Sequence, residues 1–293
     1  DTNVTVLLKE GNLTIKPLSS VVAGGKLAGS VTLTTSGQSG TLMTNITIAG
    51  LEPNQLKDMN GKLTGAKTDV TINIAGCGNS VSQIMACSNG RLLVKVGNGV
   101  ITDSLTGALG ADVLTKLVSM LNPFAKSNDA TQLQCAVVNF DIKNGIATTD
   151  KGIAISTNQM NIIGSGTVNL KTEALDIGIK PEAKEGVGIN AGKLASVVRV
   201  GGTLAQPKPT ADMVGAVSTG LSVGTAVATG GLSLLAEGLF DRATADADPC
   251  ATVLAQKPAS TQTAKEPEKS TATKAVDSVK DVGGAIPDKL KGL

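Results

Sequence analysis

The stretch "CAVVNFDIKNGIATTDKGIAIST", Cys135 to Thr157, constrains this chain more than any other. Ala136, Val138, Phe140 and Ile142 point one way from an extended backbone, and Val137, Asn139, Asp141 and Lys143 point the other. Asn144-Gly145 is a two-residue hairpin signal, and a second strand follows it. A strand with one apolar and one wetted face, returning through a tight turn, specifies an antiparallel sheet.

The same pattern recurs. Val31 and Leu33 alternate with Ser30, Thr32 and Thr34; Leu42, Thr44, Ile46 and Ile48 oppose Met43, Asn45 and Thr47. Val70, Ile72 and Ile74 oppose Asp69, Thr71 and Asn73, and Val168 and Leu170 precede a turn at Lys171-Thr172-Glu173 before Leu175, Ile177 and Ile179. Gly-rich turns separate the strands, and strand signals dominate up to about Leu204. The expected fold is mainly β with a few helices: a long antiparallel sheet, curled into a trough or partly closed barrel, with helices packed on it.

Two helices interrupt the strands. "SVSQIMA", capped by Asn79 or Ser80, runs towards Cys87, and "GADVLTKLVSMLNPF" carries an apolar stripe of Val113, Leu114, Leu117, Val118 and Leu121 before Pro123. Met213 to Ala236 is uncharged for 24 residues, but only 13 of them are Met, Val, Leu or Ala. It reads as a weakly apolar helix lying on the sheet or across its mouth rather than as a membrane span. Residues 257–293 hold seven Lys, five acidic residues and three Pro. The expected division is a β-rich domain over 1–255 and a disordered charged tail over 256–293.

Composition narrows the function. The chain contains no histidine, the commonest general base and zinc ligand, and no paired acidic motif replaces it. The expectation is no enzyme, no metal and no cofactor. Net charge is +2, with only Arg91, Arg199 and Arg242 as arginines and three Phe as the aromatics, so nucleic acid is not expected as a partner. Cys77, Cys87, Cys135 and Cys250 form no C-x-x-C pair. Their even number suits disulfides in an oxidising compartment; four buried thiols in a cytosolic core are the other reading. The strand pattern begins almost at Asp1, which suggests a fragment or processed product.

Several stretches, in order, resemble the C-terminal region of the AsmA family of the Gram-negative envelope. They are "LLKEGNLTIKPLSSVVAGGKLAGSVTL", "LKDMNGKLTGAKTDVTINIAGCGNSVSQIMACSNGRLLVKVGNGVI", "LNPFAKSNDATQLQCAVVNFDIKNGIATT", "VGGTLAQPKPTAD" and "ADADPCA". The resemblance covers roughly residues 1–255. It implies a periplasmic protein anchored to the inner membrane by an N-terminal segment absent from this chain. It also implies a curved sheet with an apolar floor, linked to phospholipid transfer and outer-membrane assembly. The implied partners are phospholipid, the envelope membranes and outer-membrane assembly proteins. Cys135 and Cys250 match two family positions that could pair. Cys77 and Cys87 depart from the family pattern, and a local bridge closing the short helix is expected between them.

A sheet that shields acyl chains needs alternate aliphatic side chains and no catalytic group. The candidate floor is Val70, Ile72, Ile74, Val138, Phe140, Ile142, Ile153, Ile155, Val168, Leu170, Ile177 and Ile179. The same residues would equally suit a dry core beneath the helices of 113–121 and 213–236. A structural module that docks outer-membrane assembly partners without carrying lipid is the alternative function.

Overall fold

The computed structural model describes residues 2–37, 39–57, 59–102, 131–184, 198–210 and 248–256. The expected helix over 110–124, the segment 213–236 and the tail beyond 256 lie outside the described residues.

Tight turns set the topology. Glu10-Gly11, Ala23-Gly24 and Asn144-Gly145 each have two successive residues of positive φ, between 45° and 78°. That is the two-residue turn whose twist matches antiparallel strands. They join β1 (Asn3–Lys9), β2 (Asn12–Val22) and β3 (Gly25–Ser36), and later β9 (Thr131–Lys143) and β10 (Ile146–Thr157). β4 (Ser39–Leu51) and a single 3-10 turn (Pro53–Gln55) lead into β5 (Leu63–Gly65) and β6 (Thr68–Gly78). α1 (Val81–Ala86) precedes β7 (Asn89–Val96) and β8 (Gly99–Ile101). β11 (Met160–Asn169), β12 (Leu175–Ala183), β13 (Val198–Gly202), β14 (Pro207–Thr210) and α2 (Pro249–Ala255) complete the described elements.

All fourteen strands belong to one antiparallel sheet, ordered β1-β2-β3-β4-β6-β7-β9-β10-β11-β12-β13-β14. β5 and β8 pair with each other, and β8 also lies along the start of β9. They continue β6 and β7 past a common kink, where the Ala66 N–H donates to Asn98 O (2.7 Å) and the Gly97 N–H to Lys67 O (2.9 Å). β1 and β14 are the two edges and do not pair with each other, so the sheet is open, not a closed barrel.

Bulges bend the strands without turning residues over to the wrong face. On β2 the register shifts between Ile15 and Leu18, at Lys16-Pro17. A proline in an interior strand is accommodated at such a bulge. On β10, Thr149 to Ile153 faces only Gly166 to Gly164 on β11. The two extra residues keep parity, so Ala147 and Ile153 stay on one face, and the displaced Lys151 N–H donates to Ser165 Oγ (2.7 Å).

The sheet also closes in on itself at glycines. A β-carbon on Gly90 would run into the carbonyl oxygen of Asn73, and one on Gly166 into that of Asp176. Gly90 and Gly166 have positive φ, 147° and 156°, a conformation that L side chains rarely adopt, and it aims the would-be β-carbon at the backbone of the next strand.

Candidate functional site

The register places all twelve candidate floor residues on one face. Val70 lies opposite Val94, Val94 opposite Val138, and Val138 opposite Ile153. Ile153 faces Gly164, which faces Ile179. A second row runs Ile72, Leu92, Phe140. A third runs Ile74, Gly90, Ile142, Ala147, Val168, Leu175. Ile155 pairs with Ala136, Ile177 with Gly166, and Leu170 packs just past the end of β11.

Burial divides the twelve. Phe140, Ile142 and Val168 are buried, and with Ala147 they form one cluster against Leu92, Val138 and Ile177. The other nine are half-buried.

The face is longer than the twelve. Ile46 and Ile48 pair with Ile72 and Val70, Leu27 with Ile48, Val31 with Thr44, and Ile15 with Val31. Leu8, Leu13, Leu33 and Leu42 form a further row. These residues carry the same alternation, so the signal that would have found them is the one that found the twelve.

α1 sits at one rim of this face. Ser80 caps it, its Oγ accepting the Gln83 N–H, as expected. Gly76, on the apolar face of β6, lies under Ile84; a β-carbon there would meet the Ile84 backbone. The Gly145 N–H, in the β9–β10 turn, donates to Ser88 O (2.9 Å). The Cys77–Cys87 disulfide ties both ends of this excursion together.

The opposite face is polar. Arg91 Nε donates to Asn139 Oδ1 (2.8 Å), Lys95 pairs with Asp69 (3.1 Å), and Arg199 makes a two-pronged pair with Asp176 (2.7 and 3.0 Å). The Gly50 N–H and Lys95 hold the Asp69 carboxyl below its ordinary range.

α2 covers part of this polar face. Cys250 and Val253 pack on Val137, Ala154 and Ile163, and Cys250 is bonded to Cys135. The sequence pattern did not foretell this helix. It is seven residues long, Pro249 opens it, and Asp248 caps it by accepting the Ala251 N–H (3.0 Å). A Pro after an Asp was a start signal without the apolar period that normally accompanies it.

Beside α2, Lys184 Nζ donates to Gln134 Oε1 (2.7 Å), Ser156 Oγ (3.0 Å) and the Thr157 carbonyl (2.6 Å). Burial pushes its ammonium below the ordinary lysine range, and Asp248 opposes that. A lysine that activates serine must accept the hydroxyl proton. Here the ammonium's three N–H bonds all have acceptors, and Ser156 shares its own hydrogen with Gln134 and Asn161. The cluster joins β9, β10 and the end of β12 rather than presenting a nucleophile. Cys135, Cys250 and Asp248 also converge, but both sulfurs are spent in the disulfide.

Comparison with known proteins decides the kinship. The sequence model of the AsmA family matches residues 1–151. The chain belongs to the AsmA family. It is similar to the AsmA family protein YhjG of Escherichia coli (strain K12), at 27% identity over 270 residues. That match takes in 87% of this chain and 36% of the relative, so the chain spans little more than a third of that relative's length. No solved structure matches it. Membership of the family points to a role at the cell envelope. No helix among the described residues is long and apolar enough to cross a membrane.

Proposed function

We propose that this AsmA-family chain is a non-catalytic periplasmic module whose apolar sheet face shields phospholipid acyl chains. On this reading it assists phospholipid transfer between the inner and outer membranes, and with it outer-membrane assembly. The carrying observation is continuity. Aliphatic side chains follow one another by register from Leu8 and Ile15 near one edge to Ile179 and Val200 near the other.

The physics suits the task. Keeping an acyl chain from water is worth about 0.8 kcal/mol per CH₂. A face of Val, Ile and Leu supplies that contact, and with three Phe in the whole chain it has few flat rings to hold an acyl chain in one place. Half-buried floor residues still have surface to give to a ligand; fully buried ones do not. Headgroups stay in solvent at the rims, so the mechanism asks for no acid, base or metal.

The test is lipid extraction and mass spectrometry on protein purified from an envelope without detergent, beside a Val138→Asp, Ile155→Asp variant checked for folding. Phospholipid on the wild type and none on the folded variant supports the reading. A lipid-free wild type favours the docking module instead.

A further inference from the structure

α1 stands where the apolar face of β6 and β7 ends. A β-carbon on Gly76 would meet the backbone and Cγ2 of Ile84, and one on Gly145 would meet the backbone of Ala86. The helix therefore rests directly on β6 at one end and on the β9–β10 turn at the other. β7 lies between β6 and β9 in the sheet, so α1 crosses its start. The Cys77–Cys87 bond ties the excursion shut. The helix is a wall at the end of these strands, and it is an uncharged one: no charged residue occurs from Val70 to Gly90.

The floor leading to that wall has a definite length. Ile74, Ile72 and Val70 follow one another on β6, beside Leu92 and Val94 on β7, and all five are half-buried. The next residue on this face of β6 is Thr68, whose Oγ1 donates to the Ala66 carbonyl (2.8 Å). It is followed by the kink, where Lys67 and Asn98 are exposed. Ile74 to Thr68 is six residues of strand, about 20 Å at ~3.3 Å per residue. An acyl chain spans about 15 Å, half of the ~30 Å hydrocarbon core of a bilayer. One such chain, laid along β6 and β7, fills the distance with its glycerol end near Thr68. Laid the other way, it would press a charged headgroup against Ile84.

We propose that α1 is the end stop of the lipid path. Acyl chains lie along β6 and β7 with their methyl ends against Ile84 and their headgroups at the Lys67–Asn98 kink. The distance between the two sets the acyl-chain length that the protein takes, and Ile84 is the residue that fixes it. This rests on the phospholipid reading above and adds to it a direction and a length.

The test is competitive loading of the 293-residue chain from mixed vesicles of dilauroyl, dimyristoyl and dipalmitoyl phosphatidylglycerol, read by mass spectrometry of the extracted lipid. The wild type is expected to favour one length. Ile84→Ala draws the wall back and should shift the preference about tenfold towards longer chains, since about two more methylenes leave water. Ile84→Phe should shift it towards shorter ones. Val81 is 78% exposed, and Val81→Ala should leave the preference unchanged. If either Ile84 variant unfolds, Cys77→Ser, Cys87→Ser unties the wall and should flatten the preference while lipid still binds. Lipid bound by the wild type with no preference for length, or with one that neither the folded Ile84 variants nor the untied wall moves, overturns the end stop and leaves the lipid reading standing. A wild type that binds no lipid overturns both.

Discussion

Gly90 of β7 approaches Asn73 of β6 so closely that a β-carbon on Gly90 would collide with the Asn73 carbonyl. Gly90 stands opposite Ile74 on one side and Ile142 on the other, in the middle of the apolar face. Glycine is there because its φ of 147° would drive a side chain into the backbone of the neighbouring strand. Gly90→Val should therefore destabilise the protein by about 1–3 kcal/mol, the range for forcing atoms into a packed site. Urea unfolding measures it. An unchanged midpoint would mean that β7 accommodates a side chain at this position.

Burial should separate the floor residues by stability. Phe140 is 7% exposed and packs in the main cluster with Ile142, Ala147 and Val168. Phe140→Ala should cost about 3–5 kcal/mol. Ile72 is half-buried one strand beyond Leu92, and Ile72→Ala should cost clearly less, about 1–2 kcal/mol, because much of its surface is already in water. Equal losses in urea unfolding would show that Ile72 is core, not open floor.

The sheet was legible because its signal is local. Alternation fixed the face of Val138 and Ile153 before any strand pairing was known, and Asn144-Gly145 fixed the hairpin between them. The bulge at Asp150-Lys151 was not legible; an insertion of two residues preserves the alternation and so hides in it. α2 was missed because one turn and a half of helix is too short to show a period, and its anchor is Cys135, 115 residues away. The pairing of β7 with β9 joins strands separated by β8 and residues 103–130, and no turn motif announces a partner at that distance.

Stability should respond to acid through Asp69. Its carboxylate accepts the Gly50 N–H (2.9 Å) and pairs with Lys95 (3.1 Å), and these hold its pKa below 3.8 against partial burial. A carboxyl with a folded pKa below its unfolded one adds stability that is complete above the unfolded value. That stability is lost as pH falls through the folded value. The Asp69→Ala variant should melt below the wild type at neutral pH, and the gap should narrow as pH drops from 3.8 downward. The effect is small at an exposed site and shrinks with salt. A gap that widens in acid would contradict the assignment.

The two disulfides should contribute unequally. Cys135–Cys250 closes a loop of 115 residues and Cys77–Cys87 one of 10. On the chain-entropy model the first contributes about 4–5 kcal/mol and the second about 2.5–3 kcal/mol. The Cys135→Ser, Cys250→Ser double variant should therefore lose more stability in urea than Cys77→Ser, Cys87→Ser. Hydrogen exchange separates the causes. The first variant should expose the α2 amides, since Cys250 anchors that helix to the polar face. The second should loosen α1 at the rim of the apolar face and leave α2 unchanged. If oxidised and reduced wild type melt together, Val253 packed on Val137, Ala154 and Ile163 holds α2 in place without the bridge.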